Sequence, residues 1–78
     1  MTVNVYSTPS CVQCKATYRA LDAAGMDYTV TDVTQDPEAL AMVRALGYNA
    51  APVIVVGDGD VHWSGYRPDL IKSLVSVS

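Results

Sequence analysis

Thr2-Val3-Asn4-Val5-Tyr6-Ser7-Thr8-Pro9-Ser10-Cys11-Val12-Gln13-Cys14 carries the chain from an extended segment through a proline loop into a pair of cysteines. Val3 and Val5 alternate with Thr2 and Asn4 at the period of a strand, and Pro9 ends regular structure ahead of the cysteines. The pair therefore sits after a strand and at the start of a helix. Only the thiolate of a cysteine is nucleophilic, and the unpaired N–H groups and partial positive charge of a helix N-terminus favour that anion and lower the thiol pKa. Cys11 is the expected attacking sulfur. Cys14, three residues on and close to one helical turn away, can reach back to close a disulfide and is the expected resolving thiol. Strand, loop, Cys-x-x-Cys and helix together form a redox motif more specific than the cysteine spacing alone.

Two cysteines have other possible uses. A structural zinc site needs four ligands, and beyond the pair the chain offers the single His62 and carboxylates. A purely structural disulfide closing so short a loop removes little entropy from the unfolded chain. Two buried, inert thiols remain an alternative, because free cysteine behaves as a small hydrophobe.

Downstream of the pair, Tyr18 and Leu21 recur at helical spacing among Ala16, Ala20, Ala23 and Ala24, and Gly25 supplies a C-terminal stop, so a helix is predicted over about residues 12–24. Thr, Val and Tyr enrichment predicts a strand from Asp27 to Val33. Asp36-Pro37-Glu38 has the form of an N-cap with proline at the first helical position. Leu40, Val43 and Leu46 then make an apolar stripe that ends at Gly47. Val53-Ile54-Val55-Val56 is a short buried strand, turned by Gly57-Asp58-Gly59 into a partner from Asp60 to Trp63, with a break at Ser64-Gly65. Pro68 opens a last helix whose apolar face is Leu70, Ile71, Leu74 and Val75. The order is β-α-β-α-β-β-α in one α/β domain over residues 1–78. A right-handed crossover makes the first two strands parallel, and the hairpin adds antiparallel ones.

With 78 residues, half of them hydrophobic, the chain has enough apolar surface for one core. No apolar run reaches the length of a membrane span, and the N-terminus lacks the basic-then-apolar layout of a signal peptide, so a soluble, cytoplasmic protein is expected. In a reducing compartment a cysteine pair is more often catalytic or metal-binding than structural. The net charge is −3, and the five basic residues are scattered at Lys15, Arg19, Arg44, Arg67 and Lys72, which gives no basic stripe for a nucleic acid.

This order of elements, with Cys-x-x-Cys after the first strand and Pro52 before the third, resembles the thioredoxin fold at its minimal, glutaredoxin-like size: a four-stranded mixed sheet with three helices. Within that superfamily, Cys11-Val12-Gln13-Cys14 together with Trp63-Ser64-Gly65-Tyr66-Arg67-Pro68-Asp69 resembles the NrdH-type redoxins, which carry C-[MV]-Q-C and W-S-G-[FY]-R-P-D. The two motifs together are far more specific than either alone, and the likeness covers nearly the whole chain.

The resemblance implies a dithiol–disulfide oxidoreductase that supplies electrons to class Ib ribonucleotide reductase and is itself reduced by thioredoxin reductase. It implies no bound cofactor, the electrons coming from NADPH through the reductase's flavin, and a monomer is expected. It also matches Pro52 to the family's cis-proline, which faces the disulfide and offers the neighbouring backbone to a substrate chain. The plain alternative for Pro52 is a rigid lead-in to a strand. Val12, Gln13, Pro52, Trp63, Ser64, Gly65, Tyr66 and Arg67 are the expected partner-binding residues. For Trp63 and the 64–69 segment the alternative is structural: an aromatic filling the sheet edge, and a turn into a helix whose dipole Asp69 suits. A mixed role is expected, with polar atoms of Ser64, Arg67 and Asp69 holding the loop beside the cysteines. His62 is expected to face solvent, and Lys15 either stabilises a thiolate or lies on an exposed helix face. The rival implied by the wider superfamily is a glutaredoxin or mycoredoxin using a low-molecular-weight thiol. Glutaredoxins commonly show T-V-P and a G-G-x-D-type anchor where this chain has Ala51-Pro52-Val53 and Ser64-Gly65-Tyr66-Arg67-Pro68, which leaves the glutathione cradle incomplete. An iron–sulfur carrier, as some glutaredoxins are, mostly presents C-G-F-S; the second cysteine here favours disulfide exchange.

Overall fold

Alternation at the N-terminus builds the central strand. In a computed structural model that describes residues 2–57, 59 and 61–77, β1 spans Val3–Ser7 and buries Val3, Val5 and Ser7 while Asn4 and Tyr6 are half-buried. The remaining elements are α1 (Val12–Ala23), β2 (Thr29–Asp32), α2 (Pro37–Ala45), β3 (Val53–Val56), β4 (Val61–Ser64) and α3 (Pro68–Val77). The sheet order is β2-β1-β3-β4, with β1 parallel to β2 and antiparallel to β3, and β4 antiparallel to β3. This four-stranded mixed sheet with three helices is the minimal thioredoxin fold.

All four residues of β3 are buried, because this inner strand has neighbours on both edges and packing on both faces. Period-two alternation sends its side chains into two clusters. Ile54 and Val56 join Val3, Val5, Leu21, Trp63, Ile71 and Leu74, whereas Val53 and Val55 join Val33, Ala39 and Val43. The first cluster lies where α1 and α3 meet the sheet, and the second lies under α2. Tyr18 and Tyr28 stack with ring centroids 5.8 Å apart at the margin of the first cluster.

Most predicted boundaries hold within a residue or two, and the departures have local causes. β1 runs one residue further than its alternation suggested, because Ser7 pairs with Asp32 and its carbonyl accepts the Val33 N–H at 3.0 Å. β2 is shorter than the predicted 27–33. The Met26 N–H still bonds back to the Leu21 carbonyl, and at the other end Asp32 turns the chain by accepting the Thr34 N–H and hydroxyl at 2.9 and 2.6 Å. α2 has the expected N-cap, with the Asp36 carboxylate accepting the Ala39 N–H at 3.1 Å and Pro37 in the first turn. β4 begins at Val61 and includes Ser64, which pairs with Val53, so the strand breaks at Gly65 rather than Ser64. Asp58 and Asp60 of the predicted hairpin, and the Val75 side chain on the predicted face of α3, lie outside what the structure describes; Ile71 and Leu74 are buried and Leu70 is half-buried.

Leu21 is fully buried and ties α1 to the first cluster, so truncating it leaves a cavity beneath the helix that carries the cysteines. Leu21→Ala is expected to lower the unfolding free energy by about 2–5 kcal/mol, measured as a shift of the urea midpoint at constant slope. A loss below about 1 kcal/mol would mean that α1 is held by other contacts.

Candidate functional site

β1 delivers the chain to the cysteine pair through a sharp turn. Ser10 has φ 63°, in the left-handed region that residues other than glycine rarely occupy, and Cys11 follows in extended conformation as the N-cap of α1. Cys11 serves this cap with its sulfur: Sγ accepts the Cys14 N–H at 3.1 Å, while its carbonyl accepts the Lys15 N–H at 3.3 Å. A sulfur is an unusual N-cap acceptor. The Cys14 N–H of the first turn thus points at Cys11 Sγ, a geometry that favours negative charge on that sulfur. The first turn, Val12-Gln13-Cys14-Lys15, carries no acid to oppose that charge.

Cys11 and Cys14 are joined in a disulfide, with Cα atoms 5.2 Å apart, inside the ordinary range for such a bond. Their surroundings differ. Cys11 is half-buried and flanked by Val12, which is 79% exposed, whereas Cys14 is 2% exposed. One sulfur can meet a macromolecule and the other cannot, an asymmetry suited to an attacking and a resolving thiol. Below the pair, Thr17 is fully buried and its hydroxyl donates to the Gln13 carbonyl at 2.9 Å. Thr17 was not foreseen, because a threonine on the inner face of a helix has no chemical signature in sequence.

The second motif is bonded both to the loop before β3 and to the cysteine loop. Ser64 Oγ donates to the Ala50 carbonyl at 3.0 Å, the Gly65 N–H donates to the Pro52 carbonyl at 2.8 Å, and the Tyr66 N–H donates to Gln13 Oε1 at 3.2 Å. The Ala51–Pro52 bond is cis and Pro52 is buried. Gly65 needs its identity because its φ of +90° is a glycine conformation that other residues rarely adopt.

Arg67 lies further out and pairs with Asp69 through two hydrogen bonds at 3.2 and 3.1 Å. These bonds raise the arginine pKa and, on the other side, hold the Asp69 carboxyl below its ordinary value. Both side chains are more than half exposed, so the pair shapes the start of α3 more than it stabilises the fold.

Trp63 takes the structural alternative, and His62 departs from its expected place. Trp63, counted from sequence among the partner-binding residues, is 5% exposed and belongs to the first core cluster, because its position opposite Ile54 sends it to the α1/α3 face of the sheet. His62 is half-buried rather than solvent-facing, and its Nδ1 is hydrogen-bonded to the Tyr48 hydroxyl at 2.7 Å with the rings edge to face. Lys15 is exposed. A cavity of about 110 Å³ beside the loop that leads to Pro52, lined by Tyr6, Thr8, Leu40, Arg44, Tyr48 and Ala51 among others, was not legible in sequence, because its walls come from four separate segments.

The fold and this site define a small thiol–disulfide redox protein of glutaredoxin size. The glutaredoxin family model matches residues 3–62. The glutaredoxin-like protein NrdH of Escherichia coli is 42% identical over 74 residues, covering 95% of this chain and 89% of that one; its counterpart in Salmonella typhimurium is 39% identical with the same coverage. Among solved structures, the glutaredoxin-like NrdH-redoxin from Escherichia coli, described for its thioredoxin-like activity profile, superposes with a TM-score of 0.88 at 42% identity, covering 95% of each chain. The chain belongs to the NrdH redoxins of the glutaredoxin family.

The unequal exposure of the two sulfurs has a direct readout. Treated with a small aromatic disulfide, Cys14→Ser is expected to accumulate a mixed disulfide on Cys11, whereas Cys11→Ser reacts at least tenfold more slowly, followed by intact-mass spectrometry. Faster labelling of Cys14 would reverse the two assignments.

Proposed function

We propose that this protein is a dithiol electron carrier that takes electrons from the flavin of an NADPH-dependent thioredoxin reductase and delivers them to class Ib ribonucleotide reductase in the cytoplasm. The observation that carries the proposal is the half-buried Cys11, capped by the Cys14 N–H and disulfide-bonded to a buried Cys14, in a C-V-Q-C loop bonded to the W-S-G-Y-R-P-D segment of an NrdH-family chain. The thioredoxin-like activity profile attributed to the Escherichia coli protein supports the choice of electron donor.

In the delivery step the Cys11 thiolate attacks one sulfur of the acceptor's disulfide. A Cys11–acceptor bond forms, the acceptor's sulfur–sulfur bond breaks, and the departing sulfur leaves as a thiolate that takes up a proton. Cys14 then loses its proton and attacks Cys11 Sγ, closing the Cys11–Cys14 bond and expelling the acceptor's second thiolate. Two electrons have passed to the acceptor, whose two thiolates take up the proton released by Cys14 and one from solvent. The N–H donors at the start of α1 stabilise Cys11 both as the attacking anion and as the leaving group when the reductase reopens the disulfide. The chain itself needs no bound cofactor, because nicotinamide and flavin act within the reductase, and one copy suffices because both cysteines lie in one chain. Val12, Gln13, Ser64, Gly65 and Tyr66 form the partner-facing surface with Arg67 at its margin, and buried Pro52 and Trp63 support it from below.

The choice of donor separates this function from that of a glutaredoxin. NADPH consumption with a disulfide substrate is expected with thioredoxin reductase and to remain at background with glutathione plus glutathione reductase. Turnover with glutathione alone would assign the chain to the glutaredoxins that use a low-molecular-weight thiol.

A further inference from the structure

Gln13 occupies the second position between the cysteines, is exposed, and makes no contribution to the core. Its side chain nevertheless spans 53 residues of sequence to accept the Tyr66 N–H at 3.2 Å. Only the carbonyl end of the amide can accept an N–H, so the bond fixes which way the side chain is turned. Tyr66 lies between the end of β4 and the start of α3, where its N–H has no place in a strand ladder or a helix. The preceding N–H, that of Gly65, is bonded to the Pro52 carbonyl. Two successive backbone donors are therefore tied to two different loops of the site, one to the loop before β3 and one to the cysteine loop itself. The Tyr66 side chain, 40% exposed, and Val12, 79% exposed, are two of the large apolar side chains the protein leaves in solvent, and both belong to segments joined through Gln13.

We infer that Gln13 is a positioning residue: its side-chain carbonyl clamps the 65–66 turn to the cysteine loop, so that Val12 and Tyr66 reach the reducing flavoprotein as one preformed apolar surface. The inference rests on the proposed donor. A lone neutral hydrogen bond on the surface adds little to global stability, but it removes the freedom of a loop that would otherwise be ordered at the expense of binding. The clamp therefore acts on encounter with the partner and less on the sulfur chemistry that follows. Its loss raises KM more than it lowers kcat.

Two variants test this. In Gln13→Ala the acceptor is gone, while Gln13→Glu keeps an oxygen at the same reach. Hydrogen exchange of the Tyr66 amide, followed by NMR, is expected to speed up in Gln13→Ala and to stay slow in Gln13→Glu. With NADPH and thioredoxin reductase, KM for the Gln13→Ala protein is expected to rise roughly two- to tenfold, by more than kcat falls. Unchanged Tyr66 exchange in Gln13→Ala, equal loss of protection in both variants, or an unchanged KM would each overturn the inference. If the wild-type protein fails to turn over with thioredoxin reductase, the proposed donor is wrong. The same KM comparison, made with the donor that does reduce the protein, then decides the role of Gln13 separately.

Discussion

The hydrogen bond from the Cys14 N–H to Cys11 Sγ is the contact on which the site depends. It makes a cysteine the N-cap of α1, so the residue that starts the helix is also the proposed nucleophile. A helix N-terminus favours an adjacent anion by about 0.3–1 kcal/mol at an exposed site and up to about 2 kcal/mol where it is partly buried. That gain is small beside the stability of a folded domain, yet sufficient to shift a thiol toward its reactive form. Much of the fold can be understood as holding this cap in place: β1 brings the chain to it, Ser10 turns the backbone into it, and Leu21 fastens the helix to the core.

A second layer of contacts gives the pair its surroundings. The Ser64–Ala50, Gly65–Pro52 and Tyr66–Gln13 bonds join the connection between β4 and α3 to the loop before β3 and to the cysteine loop. Trp63 anchors the same segment from below, filling core volume between α1, α3 and the sheet. The W-S-G-Y-R-P-D stretch thus divides its work between inside and outside. Trp63 packs, Ser64, Gly65 and Tyr66 bond to neighbouring loops, and Arg67 and Asp69 face solvent as an ion pair.

The elements were legible because local signals agreed with one another. Val3 and Val5 alternate, Asp36-Pro37 caps a helix, and Val53 to Val56 is too short and too β-branched for anything but an inner strand. The place of the cysteine pair at the start of a helix and the element order followed from position alone. What sequence could not give were contacts between distant segments. Gln13 meets Tyr66 across 53 residues, and His62 meets Tyr48 across 14 and from a different element. Trp63 was ambiguous for a related reason: alternation on a four-residue strand does not say which face of the sheet is covered, and only the packing of α1 and α3 decides it. Thr17 shows the limit of polarity as a guide, since its hydroxyl is satisfied by the helix's own Gln13 carbonyl and so the residue can be buried without a distant partner.

The most direct test of this account is the pH dependence of alkylation of the fully reduced protein, resolved by mass spectrometry into Cys11 and Cys14. If the N-terminus of α1 holds the Cys11 thiolate, Cys11 is modified first, with a midpoint below the value of about 8.5 found for an ordinary free cysteine. A Cys11 midpoint at or above that value, or Cys14 reacting first, would contradict it.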